Sequence, residues 1–291
     1  MRAITQKEID RQVFSLYDEY CHGGIDRREF LKRSAALGAL GFAISLLPDY
    51  ARAQTISFTD SRIKANYVTY ASPGGNAEKI RGYLVHPAKG GPFPAVLVIH
   101  ENRGLNPYIE DVARRAAIEG FVALAPDGLW PMGGYPGNDD DGRDMQAKLD
   151  QAKLRTDMLN GARFLKTNKM SNGKLGATGF CWGGGTTNWL ATAMGSDLQA
   201  AAPFYGVAAA TADVPKIKAP LLAHLAENDP RVDETYPTYE EALKKAGVRY
   251  EVHVYPGTQH GFHNNSTPRY NEQQAKVAWD RTIAFFRKNL A

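Results

Sequence analysis

The apolar stretch Lys174 to Phe180 runs without a break into G-F-C-W-G-G, Gly179 to Gly184, and then into a helix-compatible segment from Thr186 to Met194. A strand that turns straight into a helix leaves few folds open. The residue at the apex must take strained backbone angles while its neighbours crowd it, so small residues are needed two before and two after. Gly179 and Gly183 stand at those places around Cys181. The rest of the chain after Gln54 repeats the alternation. Tyr67 to Tyr70 and Lys79 to Val85 read as early strands separated by the turn S-P-G-G-N. Ala95 to Ile99, Phe121 to Ala125, Ala200 to Phe204, Leu221 to Leu225 and Tyr250 to Tyr255 read as further strands.

Helical periodicity fills the intervals. Leu105, Ile109, Val112 and Ala116 mark one face. Met145, Leu149, Ala152, Leu159 and Ala162 predict a second, long helix. Tyr236 to Lys245 predicts another, and Ala275, Trp279, Ile283 and Phe286 mark a closing one. This pattern predicts an α/β fold in which residues 54–291 form one domain, with a mostly parallel central sheet and helices on both faces. Asp127 to Arg143, seventeen residues rich in Gly, Pro and Asp, is long enough for a substrate-side loop.

Composition narrows the function classes. Of 291 residues, 43% are hydrophobic and 23% charged, which is ordinary globular usage. The net charge of +4, from 35 basic and 31 acidic residues spread along the chain, is no footprint for nucleic acid. Two cysteines, Cys21 and Cys181, exclude a disulfide framework and a cysteine-rich zinc site. The seven histidines lack H-E-x-x-H spacing, and Cys181 has no second thiol nearby, so neither a metal nor another cofactor is expected.

Residues 1–53 read differently from the rest. D-R-R-E-F-L-K at Asp26 to Lys32 precedes fourteen almost wholly apolar residues, Ser34 to Leu47, and then A-R-A at Ala51 to Ala53. A charged stretch, a short apolar run and a small-x-small site form the anatomy of an export signal, and the pair Arg27–Arg28 resembles the twin-arginine type. As a helix the run would span only about 21 Å against a hydrocarbon core of roughly 30 Å, so no permanent membrane span is expected. The expected course is recognition by the twin-arginine export machinery, cleavage after Ala53, and a periplasmic or secreted product. Upstream, Val13, Leu16, Tyr17 and Tyr20 sit at helical spacing and predict a separate helix before cleavage; the sequence leaves open whether that segment is cleaved or docks on the domain.

The chemistry-bearing residues fall at strand ends. At a helix N-terminus the Cys181 thiolate is favoured by the exposed N–H groups, and the Trp182 N–H would face a developing oxyanion. In an elbow fold an acid and then a base follow the nucleophile along the chain. Asp229 in N-D-P-R-V follows the strand Leu221 to Leu225, and His260 in Q-H-G-F follows Tyr250 to Tyr255. Glu227 and His263 stay open as the alternative acid and base, while His86, His224 and His253 read as structural. H-E-N-R-G, His100 to Gly104, follows Ala95 to Ile99 and places Asn102 to offer a second oxyanion N–H. Glu101 there is either a base near the thiol or a surface cap on the next helix.

Together H-E-N-R-G, A-P-D at Ala125 to Asp127, G-F-C-W-G-G, N-D-P-R-V and Q-H-G-F resemble the dienelactone hydrolase family of α/β hydrolases, over roughly Lys64 to Leu290. The resemblance implies Cys181 as nucleophile, His260 as base, Asp229 as its orienting acid, and Glu101 in contact with the resting thiol. It implies hydrolysis of a small ester or lactone. The family's substrate-holding arginine four residues after the histidine is Asn264 here. Arg143 is a loose candidate for a second family arginine, and Arg103 could replace either. Two rivals remain at this stage: a carboxylesterase for bulky esters, with a cleft built from Trp130, Tyr135 and Trp182, and an exported binding protein without turnover.

Overall fold

The computed structural model describes residues 12, 13, 16, 17, 19, 20, 25, 27–40 and 54–291, and the first helix described without interruption is α1 (Arg27–Ala36). The chain continues through β1 (Ile63–Ala71), β2 (Lys79–Pro87), β3 (Phe93–Ile99), α2 (Pro107–Ile118), β4 (Val122–Pro126), α3 (Asp139–Lys148), α4 (Gln151–Lys166) and β5 (Ser171–Phe180). After these come α5 (Trp182–Met194), β6 (Ala200–Phe204), β7 (Leu221–Asn228), α6 (Pro230–Asp233), α7 (Tyr236–Lys245), β8 (Tyr250–Gln259) and α8 (Glu272–Asn289). The eight strands make one sheet in the order β1-β2-β4-β3-β5-β6-β7-β8. β1, β2 and β4 pair antiparallel and every later pair is parallel, so the sheet is mostly parallel as its sequence pattern implied.

The apolar runs form buried strands because both faces are covered. Along β3, Leu97 and Ile99 point into one apolar layer with Leu154, Met158 and Leu190. Val96 and Val98 point into the other, with Ile109, Val112 and Phe286. Period-two alternation sends successive side chains of one strand to helices on opposite faces. Register then brings the strand ends level. Ile99 pairs with Gly179 and Phe180 with Phe204, while Asn228 pairs with Gln259. Glu101, Cys181, Asp229 and His260 therefore all follow the C-terminal ends of their strands, at one edge of the sheet.

The single long helix expected from Met145 to Ala162 is two helices. Leu149 is extended at φ −77°, ψ 150°, and the Asp150 carboxylate accepts from the N–H groups of Ala152 and Lys153 to cap α4. A capping side chain competes with continuation of the helix, and periodicity alone does not register it. Part of Asp127 to Arg143 is also ordered: Trp130–Met132 form a 3-10 turn, and α3 starts at Asp139 under an Asn138 cap.

Near the N-terminus, residues 12, 13, 16, 17, 19 and 20 are helical, and Val13, Tyr17, Tyr20, Phe30 and Ala39 form a small apolar cluster. The helical spacing of Val13, Tyr17 and Tyr20 is thus a packed face. Tyr20 stacks on Phe30 with ring centroids 5.3 Å apart. Cys21 and the segment 41–53, including the anticipated cleavage site, lie outside the described residues. Among the described residues no helix is long and apolar enough to cross a membrane.

Candidate active site

The turn between β5 and α5 has the strain its sequence demanded. Cys181 sits at φ 56°, ψ −114°, a conformation that costs a non-glycine residue about 1–3 kcal/mol. A Cβ on Gly179 would lie 2.3 Å from the Gly183 carbonyl oxygen, and one on Gly183 would lie 2.4 Å from that of Ile99. The G-x-C-x-G spacing is therefore a steric requirement of two backbones in contact. The Cys181 N–H donates to the Phe204 carbonyl at 3.1 Å, which ties the apex to the next strand.

His260 and Asp229 meet beside it. His260 Nδ1 lies 2.5 Å from Asp229 Oδ2, and the two side chains are only 5% and 4% exposed. Burial pulls the imidazole toward its neutral form. Charge on Cys181, with hydrogen bonds to Asp229 and to Cys181, outweighs it and leaves His260 above the usual histidine value. The Tyr205 ring packs against His260 at 5.0 Å and holds its own backbone at φ 35°. The alternatives have other work. Glu227 accepts the Gly257 N–H at 2.8 Å in solvent, and His263 shares a buried hydrogen bond of 2.7 Å with the Tyr108 hydroxyl.

Glu101 is buried and its carboxyl is pushed up to about 7, first by loss of water. Arg103 opposes that rise, and charge on Cys181 and Asp139 reinforces it. The surface-cap reading fails: the cap on α2 is Asn106, which accepts the Ile109 N–H at 3.1 Å. Asn264 Nδ2 donates to Glu101 Oε2 at 2.9 Å, while Asn264 Oδ1 accepts from the N–H and hydroxyl of Ser266. The residue standing where an arginine was anticipated thus holds the Glu101 carboxyl.

Glu101, Asn102, Arg103, Cys181 and His260 line one small cavity of about 20 Å³, together with Asn264, Thr267 and Arg269. Arg103 Nη1 also donates to Asp139 Oδ2 at 2.6 Å, and the Tyr135 hydroxyl donates to the other Asp139 oxygen at 3.0 Å. Three expected substrate contacts stand away from the cavity. Trp130 packs under the Arg81 guanidinium at 4.6 Å, Tyr135 is turned to Asp139, and Arg143 donates to the Tyr20 carbonyl at 2.5 Å. The Trp182 ring stacks on His100 at 5.5 Å, so the aromatic cleft of Trp130, Tyr135 and Trp182 does not form. What Trp182 brings to Cys181 is its backbone N–H, in the first turn of α5, where helix N–H groups lack intrahelical partners. A roomier groove of about 410 Å³ lies against β8 and α8, lined by Arg249, Arg281 and Lys288, and holds none of the nominated residues.

Residues 80–290 match the family model described as the dienelactone hydrolase family. The chain belongs to the dienelactone hydrolase family. It is 33% identical over 266 residues to a Methylorubrum extorquens protein provisionally named carboxymethylenebutenolidase, covering 86% of this chain and 89% of that one. Over 113 residues it is 61% identical to YghX, provisionally named a hydrolase fragment, of Escherichia coli, covering 38% of this chain and 96% of the fragment. Among solved structures, a provisionally named dienelactone hydrolase of Klebsiella pneumoniae superposes with a TM-score of 0.68 at 28% identity, over 78% of this chain and 99% of that one. Residues 1–38 match a second family model, described as YqhI-like. This dienelactone hydrolase family member is a hydrolase with the α/β-hydrolase fold. Sequence reading overlooked Thr267, Arg269, Tyr205 and Asp139 around the site, because none stands in a motif and each arrives through tertiary folding.

Proposed function

We propose that the protein hydrolyses carboxylic esters or lactones through a Cys181–His260–Asp229 triad and a thioester acyl-enzyme. The observation that carries the reading is the strained Cys181 elbow with the buried His260–Asp229 pair, 2.5 Å apart, beside it. The Cys181 thiolate attacks the substrate carbonyl, forming a C–S bond and an oxyanion. The N–H groups of Trp182 and Asn102 receive that oxyanion, a contribution of about 3 kcal/mol for each well-aimed donor. The intermediate collapses, the C–O bond breaks, and His260 gives its proton to the leaving oxygen. His260, oriented by Asp229, then takes a proton from water as the hydroxide attacks the thioester. The carboxylic acid leaves and the thiolate returns.

In this reading Glu101, near 7 and held by Asn264, exchanges a proton with the site at neutral pH and buffers the charge on Cys181. Arg103, fixed by Asp139, lies against the acyl group. No cofactor takes part. A panel of dienelactone, p-nitrophenyl acetate and butyrate, and a bulky aromatic ester tests the reading against Cys181→Ala. Turnover of a small ester or lactone that disappears in the variant supports it; equal rates in both proteins overturn it.

We also propose that Arg27 and Arg28 direct the precursor to the twin-arginine machinery and that the product, cleaved after Ala53, works in the periplasm or outside the cell. The support is the sequence D-R-R-E-F-L-K with its apolar run and A-R-A. Cell fractionation and N-terminal sequencing test it: a product starting at Gln54 outside the cytoplasm, retained inside by Arg27→Lys with Arg28→Lys, is the expected result. A full-length chain found only in the cytoplasm overturns it.

A further inference from the structure

His100 is the first residue past β3, the strand that lies between β4 and β5. β5 leads into Cys181 and Trp182, and β4 into Asp127 and Gly128, so His100 has the elbow on one side and the loop after β4 on the other. Its side chain is wholly buried and does not line the Cys181 cavity. It nevertheless holds three segments around that cavity. Nδ1 lies 2.6 Å from the Glu101 carbonyl oxygen, and the Gly128 N–H donates to Nε2 at 3.2 Å. The ring stacks on Trp182 with centroids 5.5 Å apart and planes 16° from parallel. A Cβ on Gly128 would stand 2.5 Å from Nε2, so the loop brings its N–H to the ring only because that residue has no side chain.

These partners fix the proton on the ring. A carbonyl only accepts and a backbone N–H only donates, so Nδ1 carries the hydrogen and Nε2 offers its lone pair. Burial pushes the imidazole down to about 4, and it is neutral at pH 7. With both nitrogens committed to backbone, the ring has no proton to exchange with a substrate. What it supplies is orientation. The Glu101 carbonyl and the Asn102 N–H belong to one trans peptide, whose planarity points them in opposite directions. Holding that carbonyl against the His100 ring turns the Asn102 N–H away from the ring, and the cavity lined by Glu101 and Asn102 lies on that side. The same residue meets the start of α5: a Cβ on Gly183 would lie 2.5 Å from the His100 carbonyl oxygen. The Asn102 and Trp182 N–H groups come from different elements, yet an oxyanion hole works only when its donors lie about 2.7–3.1 Å from one point.

We infer that His100 is a positioning residue for the oxyanion hole: its Nδ1–H holds the Glu101–Asn102 peptide so that the Asn102 N–H faces the reacting carbonyl, while its ring backs Trp182. The inference rests on the reading of Cys181 as nucleophile and of Asn102 and Trp182 as oxyanion donors. His100 acts on the substrate through those backbones and not by contact, since it does not line the cavity. The Gly128 N–H, by occupying Nε2, keeps the hydrogen on Nδ1 where the Glu101 carbonyl needs it.

Two amide variants of the full chain separate the two hydrogen bonds. In His100→Asn the Nδ2 group stands where Nδ1 stood and still donates to the Glu101 carbonyl. In His100→Gln the longer side chain carries its amide out toward Gly128, and the Glu101 carbonyl loses its donor. Both remove the ring, so the loss of packing is shared, and circular dichroism melts establish that each chain is folded. Two reactions of Cys181 are then compared. First-turnover acylation by p-nitrophenyl acetate passes through an oxyanion. Alkylation by iodoacetamide, followed by mass spectrometry of the Cys181 peptide, forms a C–S bond as iodide leaves and makes no oxyanion. Acylation should fall about 10²-fold in His100→Gln, in kcat rather than KM, and stay within about fivefold of wild type in His100→Asn, with alkylation alike in all three. Acylation that falls equally in the two variants, or in step with alkylation, overturns the positioning role. Nitrogen NMR of the labelled, unaltered chain tests it without a substitution: a neutral His100 ring with its hydrogen on Nε2 overturns it. A wild type alkylated at Cys181 but acylated by no ester sinks the hydrolytic reading and this inference with it, a failure distinct from the others.

Discussion

His260 and His224 are both buried, and they lie at the end of β8 and inside the neighbouring β7, yet they are driven in opposite directions. His224 is held by hydroxyls: Nδ1 at 2.8 Å from the Tyr255 hydroxyl, Nε2 at 2.8 Å from that of Thr282, with the ring stacked on Phe204 at 4.2 Å. Burial, together with nearby His253 and Arg281, drives it well below the usual histidine value, so it stays neutral. Burial also disfavours a proton on His260, but Cys181 and Asp229 more than restore its affinity for one. The contrast teaches that depth alone does not decide whether a buried histidine can shuttle a proton. The partner's charge does.

The comparison can be broken from its active side first. Cys181→Ala removes both the nucleophile and the negative charge beside His260, and ester hydrolysis should fall to background in a stopped assay with p-nitrophenyl acetate. Asp229→Asn keeps the shape of the pair but withdraws its charge, making His260 more like His224. A loss of about 10²- to 10⁴-fold in kcat is expected, with the fold intact by circular dichroism.

Glu101 sharpens the same contrast through stability. Its ordinary value of 4.5 applies to the unfolded chain and about 7 to the folded one, so the native state binds this proton more tightly. The resulting stabilisation is complete below pH 4.5 and is lost as the pH rises through 7, an effect of about 3 kcal/mol. Urea melts at pH 4.5 and pH 8 should show that loss in the wild type and not in Glu101→Gln, which keeps an acceptor for Asn264. An identical pH dependence in the two proteins would remove Glu101 from this role. The smallest effect on catalysis belongs to the neutral cluster. His224→Ala strands the hydroxyls of Tyr255 and Thr282 and opens a cavity, costing about 2 kcal/mol in a denaturant melt. Its kcat should stay within about twofold of wild type, because no charge at the site depends on it.

Much of this was readable in advance because it follows from short-range sterics and pattern. The G-x-C-x-G spacing reports two backbones in contact, and the strand-and-helix alternation reports the layers. The order of Cys181, Asp229 and His260 reports successive strand ends. Arg143 was misjudged for the opposite reason. Its partner, Tyr20, lies 123 residues away in sequence and reaches it only through docking of the N-terminal segment. Trp130 and Tyr135 look like cleft aromatics from composition, but Arg81 and Asp139 claim them. Asn264 reads as a missing arginine until Glu101 is seen against it.

By itself, then, the sequence of this protein determined the layered fold, the strained apex at Cys181 and the set of residues arriving at one edge of the sheet, since each depends on local backbone geometry and hydrophobic period. Only the tertiary structure decided which charged groups pair across that edge, that Glu101 is buried against Asn264, and that Tyr17 and Tyr20 pack on Arg269 and Arg143. Those outcomes depend on which desolvated groups find partners from distant parts of the chain, and desolvation exists only once the chain has closed on itself.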